Sequence, residues 1–422
     1  MKPKLLLVTL LTLLCAMSAR ADYPAESYQL DGTRLIKWRG NEQEIDFTSD
    51  AKLRQVTEIA PNAFAYKGDI QRIVFPASLR KIGFNAIYEC GGLTEIVFAE
   101  GLEEIASEAF YRCPQLQTLR LPASVKSIGE AFVVNCQGIK SYQLAGSNSY
   151  YKVVDGVLYN ATGTTLIAYP AAAERESFTL PESVTRIGDY AFAYTVTLQS
   201  IQLGRKVTEM GRRAFYTSKA LAGSISIPGT IRVVADSAFY QCDYLTEVTF
   251  EEGIEVIGQD AISHCARIER VSMPSTITEL GEGCFSYMSS LLEFRNHMTT
   301  PIQGRMTFYQ TQKYKATLYV PAESVDTYEA QTTTWNAFKN YLPLEDNSQI
   351  NPSSYKLEDE GRTLVAWSGS EKDIDMSQDK VLNRVRTIKA FTFLNKEVER
   401  IVLPEALETI EEGAFQNCED LA

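Results

Sequence analysis

Cys113-Pro114-Gln115-Leu116-Gln117-Thr118-Leu119-Arg120-Leu121-Pro122-Ala123-Ser124-Val125-Lys126-Ser127-Ile128-Gly129-Glu130-Ala131-Phe132 decides the fold, because the same word returns along the whole chain. Its last position, taken as an anchor, falls at Phe64, Ile87, Phe110, Phe132, Phe192, Phe215, Phe239, Ile262 and Phe285, in steps of 22 to 24 residues apart from one 60-residue gap, which makes about nine coils. Leu116, Leu119 and Leu121 follow the 1-4-6 pattern of a short strand, so they point inward while Gln117, Thr118 and Arg120 face solvent. Pro122 has no amide hydrogen to donate and ends that strand. Val125 and Ile128 then begin a second apolar segment on the opposite wall. Ala131 before Phe132, small then large, suits an interior filled by one ring per coil. One coil cannot bury these groups alone, but stacked coils bury each against its counterpart, at ~1.5–3 kcal/mol per large side chain. The expected fold is a mainly β repeat solenoid whose ends need caps.

Candidate caps stand at both ends. Residues 22–60 hold alternating apolar positions (Leu35, Trp38, Ile45, Phe47) around Arg39-Gly40-Asn41, expected to form a hairpin lid. The array runs over 61–311, and residues 312–345 are expected to close it with a strand (Ala316–Pro321), a short helix (Ser324–Ala330) and an aromatic plug of Trp335 and Phe338. After a linker at 346–353 the lid recurs: Leu364, Trp367, Gly369, Ile374 and Asp375 repeat Leu35, Trp38, Gly40, Ile45 and Asp46 at a constant offset of 329. Residues 354–422 therefore open a second array, with one coil around Phe391 or Phe393 and another at Phe415. Cys418-Glu419-Asp420-Leu421 matches the start of a further coil, so the array is expected to continue or to be covered by a partner. The long gap holds Asp155-Gly156 between apolar runs, which reads as a protruding hairpin inserted over 146–178.

Residues 1–21 have the form of an export signal: Lys2 and Lys4, an apolar run from Leu5 to Leu14, then Ala19-Arg20-Ala21. The run is too short to span a bilayer, which takes ~20 residues. Leu14 before Cys15 favours simple cleavage over lipid anchoring. Removing the signal takes three basic residues and no acidic ones, leaving 38 basic against 53 acidic and a net charge of −15. Nucleic acid and anionic membrane are poor partners for such a surface. No transmembrane segment is expected, and the location is secreted or cell-surface.

The word Cys-x-x-Leu-x-x-Ile-x-Leu-Pro-x-x-Val-x-x-Ile-Gly-x-x-Ala-Phe resembles the BspA-like, or Treponema-pallidum-type, leucine-rich repeats, over nearly all of the chain after the signal. The resemblance implies a right-handed superhelix of about 23-residue coils with a hairpin-like N-cap and a strand-and-helix C-cap. It also implies a bacterial surface or secreted protein without catalytic residues, whose best-known role is adhesion to host or neighbouring-cell proteins.

Chemistry is sparse. Cys90, Cys113, Cys136, Cys242, Cys265 and Cys418 occupy or adjoin one repeat position, a ladder rather than a metal motif, and are expected to be buried free thiols. Thr195, Ser218 and Met288 fill the same slot. With only His264 and His297, zinc and histidine-dependent catalysis are poorly supplied, and His264 is expected to be a solvated turn residue. No phosphate, calcium or dinucleotide motif is present. Neither enzymatic activity nor a metal or cofactor is expected.

Two surfaces remain. Tyr66, Tyr88, Tyr111, Tyr194, Tyr216, Tyr240 and Tyr287 follow the anchors by one or two residues and should stack into an edge column, which either shields the coil corner or binds sugars or proteins. The outward stripe of the first strand includes Arg72, Glu95, Arg120, Gln143, Gln202, Glu247, Thr249 and Arg270, a mixed polar face suited to broad contact or simply to solvent. The expected function is non-catalytic, monomeric recognition of a host or neighbouring-cell surface or matrix protein. The alternative is glycan binding through the tyrosines.

Overall fold

The computed structural model describes residues 22–344, 350, 354–359, 362–377, 379 and 381–421. The expected signal peptide lies outside the described residues, as does the expected linker apart from Ile350. The chain divides between Leu342 and Pro343 into two units, both mainly β. Among the described residues the α-helix Val325–Glu329 is only five residues long, and no helix is long and apolar enough to cross a membrane.

In the first unit each regular coil contributes to three parallel ladders. The front ladder holds Arg72–Val74, Glu95–Val97, Thr118–Leu121 and their successors. The back ladder holds Lys81–Ile82, Glu104–Ile105 and Ser127–Ile128, and the corner ladder Ile87–Tyr88, Phe110–Tyr111 and Val133–Val134. Pairing advances one coil at a time: Arg72 meets Glu95, Lys81 meets Glu104, and Phe110 meets Val133. The Ile-Gly of the repeat has a steric cause. A Cβ at Gly129 would stand 2.3 Å from the Ser107 amide nitrogen of the preceding coil, closer than any side chain tolerates.

Two left-handed residues flank each anchor and make the corner. Asn62 and Tyr66 (φ 59° and 64°) flank Phe64, and Arg213 and Thr217 (56° and 55°) flank Phe215. This kinked corner turns the anchor ring inward while its amide still bonds the next coil, as in Phe215 N–H to Ala238 O at 2.7 Å. Leu116, Leu119, Leu121 and Val125 are fully buried, whereas Ile128 is only half-buried. Phe192, Phe215 and Phe239 stack nearly parallel at 4.9 and 4.8 Å, the interior ring column the repeat demands.

Several expectations need correction. In the fourth coil the anchor register belongs to Val133, which pairs with Phe110 between left-handed Ala131 and Asn135; Phe132 sits where other coils have alanine. Its ring fits because the next layer offers small Ala168, with which it lines a cavity of about 20 Å³, and Tyr142 lies 6.0 Å away. Tyr169 and Phe308 are further anchors, stacked on Phe192 at 5.0 Å and Phe285 at 5.7 Å. The N-terminal hairpin turns at Gly32 (φ 56°), between Tyr28–Asp31 and Arg34–Trp38; Arg39-Gly40-Asn41 instead leads into Glu44–Asp46, which joins the front ladder in parallel with Arg72–Val74. The hairpin at Asp155-Gly156 does not protrude. Its strands Tyr151–Val154 and Val157–Asn160 lie within the stack, with Val157, Leu158 and Tyr159 buried.

At the C-terminal end Trp335 sits edge-on to Phe294, Phe308 and Tyr328 at 5.4–5.8 Å and donates its indole N–H to Ile302 O. The strand Thr317–Val320 continues the front ladder beyond Glu293–Asn296. In the second unit the hairpin Tyr355–Glu358/Thr363–Trp367 opens a back ladder through Thr387–Ile388 and Thr409–Ile410. Phe393 is its anchor, stacked between Trp367 and Phe415 at 5.1 and 4.9 Å; Phe391 is left-handed and exposed.

Candidate functional site

The front face is polar because alternate residues of each strand point outward, and its rungs are set by coil-to-coil register. Arg72 and Glu95 form one rung and an ion pair at 2.6 Å. Glu247 and Arg270 form another at 3.1 Å, with Thr249 beside them between Ser226 and Ser272. Gln202 accepts a hydrogen bond from Thr179 at 3.2 Å. These groups do not form one continuous stripe. Among the described residues the ladder is interrupted between Glu95–Val97 and Thr118–Leu121, again after Ser141–Leu144, and again after Ser200–Gln202.

At the first interruption the face sinks into a depression of about 520 Å³ lined by Glu95, Thr118, Arg120 and Gln143, with Val97, Phe98 and Pro122 as its apolar part. Three of the stripe residues thus meet in one place. Glu95 is held by Arg72, and Glu100 spends both oxygens on the Ala123 and Ser124 amides at 3.0 Å. Arg120 is a rung partner of Gln143 and is exposed, and its guanidinium makes no hydrogen bond or ion pair to a described residue. The other arginines on the front strands of the first unit, Arg72, Arg270 and Arg295, each pair with a glutamate. Phe98 was not singled out from sequence; its place after the Glu95–Val97 strand was the available signal.

The tyrosine column forms in two runs. Tyr66, Tyr88 and Tyr111 follow at 5.2 and 5.0 Å, and Tyr194, Tyr216 and Tyr240 at 5.6 and 5.0 Å. His264 continues the second run, 4.7 Å from Tyr240 and 4.0 Å from Tyr287, rather than standing in solvent; it occupies the same left-handed corner position as Tyr66. Tyr309 extends the run at 5.6 Å. Arg213 spans Tyr190 and Tyr216, donating to the Tyr190 hydroxyl at 2.6 Å. Burial pushes the Tyr194 and Tyr240 hydroxyls above their ordinary range. Tyr216 and Tyr240 lie within 6° of parallel, so each covers a face of the other.

The cysteine slot is a hydrogen-bonding position in most coils, though not at Thr195, whose hydroxyl is buried without a partner, or at Met288, which has no proton to donate. Cys90, Cys242 and Cys265 donate Sγ–H to the anchor carbonyls Phe64 O, Phe215 O and Phe239 O at 3.2, 3.1 and 3.0 Å, and Ser218 and Thr311 make the same bond at 2.7 and 2.5 Å. All seven described cysteines are free thiols. Cys265→Ser should therefore cost less than about 1 kcal/mol, and Cys265→Ala about 1–3 kcal/mol through a small void and the loss of one of the two bonds to the Phe239 carbonyl, the other coming from Cys242 N–H at 3.4 Å, measured by urea unfolding. Equal costs would show that the bond is immaterial. No three described His, Cys, Asp or Glu residues gather as a metal site.

The profile of the BspA type leucine rich repeat region matches six copies over residues 57–175, 168–292, 219–328 and 373–422. No curated protein matches the chain significantly. Among solved structures, the pneumococcal vaccine antigen PcpA is 22% identical with a TM-score of 0.57, over 72% of this chain and 77% of that one. A leucine rich cell surface protein from Faecalibacterium prausnitzii is 22% identical with a TM-score of 0.51, over 65% and 94%. A leucine-rich repeat protein from Eubacterium ventriosum is 17% identical with a TM-score of 0.50, over 91% and 88%. These likenesses show the fold. With the repeat profile spanning most of its length, the chain belongs to the BspA type leucine rich repeat family.

Proposed function

We propose that this protein is a non-catalytic recognition module of the bacterial surface or exterior that binds a protein partner through its front face. The observation that carries the reading is Arg120. It is an unpaired guanidinium beside a depression of mixed polar and apolar lining, with Gln143 alongside, on a chain rich in acid. That arrangement suits a segment bearing a carboxylate next to an apolar side chain. The carboxylate takes the fork of Arg120, and the apolar group covers Val97, Phe98 and Pro122.

Screening the purified protein against host matrix, serum and bacterial-surface proteins should identify a ligand whose affinity falls at least about tenfold on Arg120→Glu, since a charge-assisted hydrogen bond is replaced by repulsion. Arg270→Glu, on another front-face sheet, should leave the affinity within about twofold. A panel without a binder, or a binder indifferent to Arg120→Glu, overturns the proposal. Glycan binding by the tyrosine column has less support. Sugar stacking needs an open ring face, and the inner rings cover one another, whereas Tyr66 at the column's end is 70% exposed.

A further inference from the structure

The segment in the 60-residue gap has the architecture of the N-terminal cap. Thr33-Arg34-Leu35-Ile36-Lys37-Trp38 corresponds to Thr164-Thr165-Leu166-Ile167-Ala168-Tyr169. In the first hairpin Gln29 faces Lys37 and Leu30 faces Leu35, with a bulge between; in the second Leu158 faces Ala168 and Tyr159 faces Leu166, with the same bulge. Each hairpin then starts a parallel back ladder, Leu35 on Ile59 and Leu166 on Ile187. Trp38 N–H bonds Ala63 O at 2.8 Å, and Tyr169 N–H bonds Ala191 O at 2.7 Å. Trp38 stacks on Phe64 at 6.1 Å, as Tyr169 does on Phe192 at 5.0 Å. The lid of the second unit repeats the pattern once more: Lys356 faces Ala366, Leu357 faces Leu364, and Trp367 stacks on Phe393.

All three ladders also end at this level. The back ladder of the N-terminal coils stops at Ser127–Ile128, the corner ladder at Val133–Val134 and the front ladder at Ser141–Leu144. The buried side chains divide there into two cores. The hairpin lies between them with both faces covered. Leu158 and Ala168, joined by half-buried Tyr151, Val153 and Ile167, pack into the N-terminal core, and Val157, Tyr159, Leu166 and Tyr169 into the C-terminal core. The face that is polar in the N-terminal cap, Gln29 and Lys37, is apolar here, Leu158 and Ala168. The bonds across the level are mostly isolated ones rather than ladder rungs, Ala172 N–H to Ile139 O at 2.8 Å and the Lys140–Glu174 ion pair at 3.7 Å among them. They also include the Arg186–Glu130 ion pair at 2.6 Å, Ile128 N–H to Tyr151 Oη at 2.7 Å and Tyr142 N–H to Gly156 O at 2.9 Å.

We infer that residues 151–169 are a second N-terminal cap built into the middle of the solenoid, so that the first unit is two capped arrays, stacked end to end, that open separately. Stability in a solenoid passes between neighbouring coils through ladder bonds and shared core, and both are interrupted here. The N-terminal array carries the Arg120 depression, so recognition there would outlast loosening of the C-terminal coils.

Hydrogen-exchange mass spectrometry on the full-length protein tests the inference. Tyr169→Ala should speed exchange at least about tenfold in the peptides around Phe192, Phe215 and Phe239, and less than about twofold around Phe64 and Phe110. Leu158→Gln gives the hairpin the polar outer residue of the N-terminal cap; it should speed exchange in the coils from Arg72 to Leu144 and spare those from Arg186 to Asn296. Equal acceleration on both sides by either variant means one cooperative stack and overturns the inference. Wild-type exchange after Tyr169→Ala overturns it as well, because a cap residue cannot be dispensable to the array it starts.

Discussion

Phe215→Ala is expected to destabilise the C-terminal coils by about 3–5 kcal/mol, the largest loss from any single ring in the array. The ring is fully buried and lies between Phe192 and Phe239 at 4.9 and 4.8 Å. Its removal leaves a void bounded by backbone ladders that cannot close, because each coil's height is set by its hydrogen bonds. The next residue provides an internal control. Tyr216 stacks at 5.0 Å on Tyr240, but its ring stands half-buried on the outer column. Tyr216→Ala should cost only about 1–2 kcal/mol, the scale of aromatic pair contacts and partial burial. Urea unfolding of both variants decides which aromatic column holds the solenoid together; equal losses would mean that the interior rings have no special role.

Asp50→Ala should cost about 3 kcal/mol and act on the N-terminal coils. The carboxylate is 1% exposed and accepts from the amides of Lys52 and Leu53 at 2.8 Å, from the amide of Tyr23 at 2.9 Å, and from the Tyr28 hydroxyl at 3.5 Å. It thereby ties the leading strand of the lid to the short 3-10 turn Leu53–Gln55. Alanine removes the acceptor of four donors, three of them buried, each at a cost of ~1–3 kcal/mol less whatever water recovers. Asp379, 329 residues later, accepts from Val381 and Leu382 at 2.7 and 2.8 Å, so the turn-capping half of the device recurs in the second lid. Increased exchange at Ile45, Ile59 and Phe64 with little change beyond Phe192 is the expected pattern; a uniform loss over the first unit would contradict it.

Much of this was legible in the residues. Leu119 and Leu121 announced the strand Thr118–Leu121, which Leu116 precedes, and the burial of all three follows from a period that places every coil in the same surroundings. The lid at 354 was found because Trp367 and Ile374 repeat Trp38 and Ile45 at one offset. The internal cap was not, although Leu166 and Tyr169 stand in the same relation to Leu35 and Trp38. Its outward residues had turned apolar, so the alternation that marks a one-sided hairpin disappeared. Phe132 misled for a related reason: an aromatic residue beside the expected anchor outweighed the count from Ile128, which points to Val133.

By itself the sequence determined the coil, its length, its buried positions and the family, since these depend on contacts that recur every 23 residues or so. Tertiary structure alone decided which outward groups are spent and which are free. Arg72 and Arg120 both face outward on the front strands, yet Arg72 pairs with Glu95, whereas Arg120, two residues further along and aligned with Val74 and Val97 of the preceding coils, is unpaired beside Phe98. The physical reason is that a solvent-facing side chain takes its partner from the adjacent coil. Which partner stands there depends on where the ladders hold register and where they break, and the repeat pattern does not encode that.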